Sequence, residues 1–273
     1  MSQWSIILIS ISYLLVLFGV GYYAEFKSNR NKSIINNPYI YSFSLAVYCT
    51  AWTFFGSVGR ATTTGIEYLS VYIGPTIMAP LFWIILRKII RISKANRITS
   101  IADFISTRYG KNISLGIIVS LLCIVGIIPY IAIQLKAISS SIDIITGVNE
   151  NKTNSNLFTE TTIYIAIGLS LFVILFGTRS ADTTKKLEGM VAAIAFESII
   201  KIVALTVGGF FITYFIFNGF ADIYSQAEKV VSLKKMFVIS NGSMYVQMFS
   251  NVVLSMFALL FLPRQFQIAV VEN

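Results

Sequence analysis

The chain has 273 residues, of which 56% are hydrophobic and only 12% charged, and its mean hydropathy is +0.76. A soluble domain carries about 25% charged residues, so the expected solvent here is a lipid bilayer. The net charge of +9 would suit a nucleic-acid binder, but the basic residues fall between hydrophobic segments, where membrane topology explains them. There is no histidine, and the two cysteines, Cys49 and Cys123, both sit in apolar stretches, which argues against a disulfide framework, a metal cluster and imidazole-based hydrolysis.

The pattern predicts an all-α, polytopic membrane protein of about seven transmembrane helices. In chain order the spans are Trp4 to Tyr22, Tyr39 to Gly59, Tyr68 to Leu86, Ser114 to Gln134, Thr161 to Gly177, Gly189 to Phe217 and Met244 to Pro263. Each has the roughly 17–25 residues needed to cross hydrocarbon, or more. The first is not a signal peptide: its apolar part is too long, no basic residue precedes it, and no small-x-small site follows before Lys27. With the N-terminus outside, fourteen basic residues fall in inner connections, Arg264 last among them. Six fall in outer ones, Lys136 and Lys152 included, and Lys201 lies within a span. The positive-inside rule favours that orientation.

The second span carries the sharpest local signal. Between Ala46 and Gly65 the chain reads AVYCTAWTFFGSVGRATTTG, where Thr50, Thr53 and Ser57 bring hydroxyls into the membrane while Ala51, Gly56 and Gly59 permit close backbone approach. Either the segment is a tightly packed helix with its hydroxyls bonded back, or it breaks and frees carbonyls able to coordinate a small cation. Trp52, Phe54 and Phe55 either line a solute cavity there or pack as ordinary aromatics. Arg97 to Tyr109 predicts a short amphipathic helix at the inner surface, with Ser100 as cap, Asp103 three residues on, and Ile101, Phe104 and Ile105 on one face; a gate element and a simple anchor read alike. In the fourth span Gly126 and Pro129 predict a kink, with Tyr130 and Gln134 as a polar handle. The polar loop Gly147 to Glu160 contains the acceptor pattern Asn151-Lys152-Thr153. Asp182 reads as a loop cap. In the sixth span Glu197 and Lys201 lie four apart on one helical face, in the favourable acid-first order; they are either a structural ion pair or a coupling element.

With these residues the chain resembles the sodium:solute symporter family, most closely the symporter-like membrane domain at the N-terminus of bacterial sensor histidine kinases. The stretches that carry the likeness are AVYCTAWTFFGSVGRATTTG from Ala46, RISKANRITSIADFISTRYG from Arg91, VGIIPYIAIQLKAIS from Val125, LFGTRSADTTKKLEG from Leu175, AIAFESIIKIVAL from Ala193 and LPRQFQIAVVEN from Leu262. The resemblance implies the N-terminal part of a LeuT-like inverted-repeat fold in the bacterial inner membrane. Residues 1–35 would be the leading helix and inner loop, 36–220 the first five-helix repeat, and 236–273 the first helix of the second repeat, making the chain a fragment of a longer protein. It also implies sodium as the coupling ion, with the backbone of Ala46 and Cys49 as ligands, and a small polar solute near Gly56 and Ser57. Thr50, Trp52, Thr53, Gln134, Glu197 and Lys201 are the further candidates for solute contact or coupling. The chain departs from the common transporters after the break, where Ser57-Val58-Gly59 stands in place of Leu-Pro-Gly. The expected function is solute sensing or sodium-coupled transport within a sensor histidine kinase. The alternatives are a fragment of a solute symporter and a non-transporting membrane anchor. These residues by themselves are expected neither to transport nor to phosphorylate, and they hold no catalytic site.

Overall fold

The computed structural model describes residues 3–30, 32–146, 161–177, 187–230, 233, 236–239 and 242–272. Among these every regular element is helical and no strand occurs. In chain order the helices are α1 (Gln3–Ser28), α2 (Pro38–Ser44), α3 (Ser57–Thr64), α4 (Ser70–Asn96), α5 (Ile101–Arg108) and α6 (Ile113–Thr146), followed by α7 (Thr161–Gly177), α8 (Glu188–Phe211), α9 (Phe220–Lys229), α10 (Gly242–Phe261) and α11 (Pro263–Phe266). The loop from Gly147 to Glu160 and Asp182 lie outside the described residues.

By length and composition, five helices can cross a membrane: Leu8–Ser28, Thr53–Asn96, Ile113–Ile145, Glu188–Ile216 and Gly242–Phe261. Their exposed faces are apolar; α6 alone presents Ile117, Leu121, Leu122, Val125 and Ile128 outward, a surface that water would not tolerate and lipid would. The difference from seven has two sources. The expected fifth span is α7, whose 17 residues sit at the short end of the roughly 17–25 that cross hydrocarbon. The expected second span is cut in two, and its later half continues as the 44-residue run Thr53–Asn96. That run bends at Gly65, whose φ of 59° and ψ of −131° suit glycine alone. Lys136, expected in an outer connection, lies inside α6, which runs on to Thr146.

Two helix pairs build the frame, α4 with α10 and α1 with α8. On α4 the buried positions Ser70, Gly74 and Met78 recur every four residues and form the stripe against which α10 lies. A side chain at Gly74 would overlap the Ser255 hydroxyl and the Val252 carbonyl of α10. Among the described residues of α1, Leu17, Gly21 and Ala24 are buried. The amphipathic helix α5 forms as the sequence predicts: the Ser100 hydroxyl accepts from the Asp103 N–H at 3.1 Å, and the Asp103 carboxylate accepts from the Thr99 N–H at 3.1 Å. Its apolar face meets protein. Ile101 belongs to a cluster with Leu86, Ile89, Ile98, Phe266, Ala269 and Val270, and Phe104 and Ile105 pack on that cluster.

The largest departure from expectation lies past α10. The segment from Pro263 was expected as an inner connection, yet it continues as α11 and a wide π-type turn, Gln267–Val271. Gln265, Phe266, Ile268, Ala269 and Val270 are all buried. Phe266, Ala269 and Val270 join the cluster of α4 and α5, while Ile268 joins a second cluster with Ile35 and Val191.

Two predictions follow from this packing. Gly74→Ala should destabilise the protein by about 1–3 kcal/mol through overpacking, whereas Gly126→Ala, where an added Cβ meets nothing within 4 Å, should be neutral or stabilising by about 0.4–1 kcal/mol. Thermal melting of the two variants in one detergent compares them. Ser100→Ala should cost about 1 kcal/mol and loosen α5, read as faster tryptic cleavage at Arg108.

Candidate functional site

The interruption of the second span begins with its start. Asn37 caps α2, its carbonyl oxygen Oδ1 accepting from the Tyr39 N–H at 2.9 Å, and Pro38 takes the first helical position. After seven residues the helix tightens into a 3-10 turn, Leu45–Tyr48, closed by the Cys49 N–H on the Ala46 carbonyl at 2.8 Å. Cys49 is then extended, with φ −81° and ψ 110°. The helix restarts at Thr50, whose N–H donates to the Thr53 hydroxyl at 3.1 Å, half of a capping box. A π-type turn, Trp52–Gly56, carries the chain into α3, and the Ser57 hydroxyl bonds back to the Thr53 carbonyl. Part of each alternative read from the sequence is present: the hydroxyls of Thr53 and Ser57 serve the backbone, and the helix is nonetheless broken at Cys49.

Side chains from distant elements occupy the carbonyls that the break releases. Lys201 Nζ, near the middle of the candidate span Glu188–Ile216, donates to the Cys49 carbonyl at 3.0 Å and pairs with Glu197 Oε1 at 2.7 Å. Arg264 Nη2 reaches the preceding carbonyl, that of Tyr48, at 3.4 Å, and Gln265 Nε2 donates to the Leu45 carbonyl at 3.1 Å. The Thr50 hydroxyl lies 2.7 Å from the Tyr130 hydroxyl, which also accepts from Arg264 Nη1 at 2.6 Å. Gln134 is part-buried one helical turn further along α6. Phe54 and Phe55 are exposed, 58% and 40%. The Trp52 side chain lies outside the described residues.

A second interruption faces the first. Leu262 is extended, with φ −62° and ψ 130°, because the following proline disfavours helical geometry, and Pro263 then opens α11. Tyr41 of α2 donates its hydroxyl to the Ala269 carbonyl at 2.8 Å across the two broken segments. Sequence reading took Pro263 as a terminus and Arg264 as a charge in an inner connection; the structure instead brings Arg264 and Gln265 to the first break. The sequence signal is Pro263 at the end of an apolar run, which marks an interruption but does not show what Arg264 and Gln265 reach.

Whether these groups suit a sodium ion can be tested on the two expected ligands. The Ala46 carbonyl already accepts the Cys49 N–H, and the Cys49 carbonyl holds the Lys201 ammonium. A sodium ion on that oxygen would stand beside a like charge, so the arrangement does not fit one. Among the described residues no group of three or more cysteine and carboxylate side chains converges as a metal site. Compared with family models, curated proteins and solved structures, the chain gives no match.

The pair Glu197 and Lys201 is open to a double-mutant cycle. Lys201→Met should strand Glu197 and leave the Cys49 carbonyl without its donor, and Glu197→Leu should strand Lys201. Because both side chains are about a third exposed, at 37% and 36%, the coupling should be modest, about 1 kcal/mol, with the Glu197→Leu/Lys201→Met double variant more stable than the two losses summed. Strictly additive losses in the yield of folded, membrane-inserted protein would refute the coupling.

Proposed function

We propose that this chain is the solute-binding part of a membrane module that senses or moves a small polar solute. The observation that carries the reading is the pair of facing breaks: Cys49–Thr50 after α2 and Leu262 after α10, each in a segment where unbroken helix is the cheapest state. Backbone that is irregular at membrane depth is tolerated where it is buried in protein or lines a cavity, and broken helices are how many transporters and their relatives build a central site. The reading is also supported by the likeness of six stretches to the sodium:solute symporter family and its sensor-kinase branch. In that frame α2, α3, α4, α6, α7 and α8 make up the first inverted repeat and α10 with α11 opens the second. The N-terminus is outside the bacterial inner membrane, as the excess of basic residues in the expected inner connections favours with Arg264 and Lys136 left out, and a cytoplasmic kinase is the partner.

Both faces of the proposed site belong to this chain, so binding is expected of it alone. Transport is not, because alternating access needs a whole repeat or bundle to move against another. Sodium is left out of the proposal, since Lys201 stands on the carbonyl that the ion would need.

Cys49 provides the readout, being part-buried at the break itself. Its alkylation by N-ethylmaleimide, in the chain embedded in nanodiscs, should be slowed by at least one solute from a panel of amino acids, organic acids, sugars and polyols. Protection should be equal in sodium and in potassium chloride, and Thr50→Val should weaken it several-fold. A reactive Cys49 that no solute protects would leave only the role of a membrane anchor.

A further inference from the structure

The guanidinium of Arg264 is the charge that its surroundings do not balance. Its contacts are the Tyr130 hydroxyl at 2.6 Å, the Tyr48 carbonyl at 3.4 Å and the Tyr130 ring, whose centroid lies 4.4 Å from the guanidinium carbon; all three are neutral. Among the described residues no carboxylate lies within ion-pair reach of it. Lys201, on the adjacent carbonyl of Cys49, already has Glu197 at 2.7 Å. Glu197 cancels Lys201, and one positive charge is left over at the break.

Arg264 is only part-buried, as are Lys201, Thr50 and Tyr130, so the charge is held in place without being sealed off. An unpaired guanidinium at membrane depth is costly, and the structure positions this one with a hydroxyl, a ring face and a carbonyl instead of an acid. The planar fork of a guanidinium matches a carboxylate, with two parallel charge-assisted hydrogen bonds. We propose that the break binds its solute through a carboxylate, with Arg264 as the principal ligand and the ammonium of Lys201 and the hydroxyl of Thr50 beside it. The proposal rests on the solute-binding reading given above and names the chemical class of that solute. One negative charge brings the site to neutrality; a phosphate monoester carries about two and overshoots, and a cation is repelled.

The test uses the 273-residue chain carrying Cys123→Ser, which leaves Cys49 as its one thiol, in phosphatidylcholine nanodiscs. Alkylation of Cys49 is followed against acetate, L-lactate, succinate and L-glutamate, against acetamide and lactamide as uncharged counterparts, and against choline, glucose and inorganic phosphate. At least one carboxylate should protect, tenfold or more tightly than an uncharged counterpart and than phosphate. Arg264→Gln should weaken that protection tenfold or more, and Arg91→Gln on α4 should leave it unchanged. Arg264→Lys, which keeps the charge and loses the fork, should weaken it threefold or more and decides the matter where Arg264→Gln does not fold. Equal protection by amides or by phosphate, or unchanged affinity in the Arg264 variants, overturns the proposal. Protection by choline or glucose alone overturns it too, but leaves a solute site standing; protection by nothing in the panel removes both.

Discussion

Carbonyls released inside a bilayer must find donors, and this requirement organises the structure around the second span. An unsatisfied backbone group in hydrocarbon costs several kcal/mol, and a bare lysine or arginine about 2.5–3.5 kcal/mol on insertion scales. Each liability offsets the other here: Cys49 and Tyr48 offer oxygens, and Lys201 and Arg264 offer N–H groups. Neither arrangement would be stable without its counterpart. The position of α8 against α2, the depth of Tyr130 in α6 and the return of the chain after α10 are all consequences, because each delivers one of the required donors or acceptors.

The segment from Pro263 to Glu272 is what ties these elements together. Its polar residues reach the break and its own ends, with Gln265 on the Leu45 carbonyl and Glu272 accepting from the Leu187 N–H at 2.8 Å and from Gln267 at 2.9 Å. Its apolar residues divide between two clusters, Phe266 against α4 and α5, Ile268 against Ile35 and Val191. A displacement of this segment therefore disturbs the break, the amphipathic helix and the start of α8 at once. Close packing makes that response a switch between arrangements more than a gradual deformation. In the proposed module, a solute held by Arg264 would act on a segment that touches α4, α5, α6 and the start of α8.

How much of this was legible depends on the distance over which each interaction acts. Long apolar helices are local, so hydropathy finds α1, α6, α8 and α10, although α6 runs past the expected end at Gln134 to Thr146. Glu197 and Lys201 are also local, four residues apart on one helix, and their spacing alone brings the two charges within 2.7 Å. The Ser100 and Asp103 cap is read from four residues for the same reason. Hydropathy averages across a break, however, so Tyr39 to Gly59 reads as one span although Cys49 is extended in its middle. The role of Arg264 was hidden altogether. Its partners Tyr48 and Tyr130 are 216 and 134 residues away, and a basic residue after an apolar run is indistinguishable from the many that mark a cytoplasmic loop.

The tethered cation bears on what kind of machine the proposed module is. A diffusible ion at the break can arrive from one side of a membrane and leave on the other, and so can transmit the work stored in its gradient. The ammonium of Lys201 is fixed to α8 by its own side chain and cannot dissociate down any gradient. It neutralises Glu197 and holds the Cys49 carbonyl. A site built in this way reports solute concentration by equilibrium occupancy, because ligand shifts a conformational balance only by its differential affinity for the two states. That property suits a receptor better than a concentrating pump, and of the two activities implied by the family likeness it favours sensing.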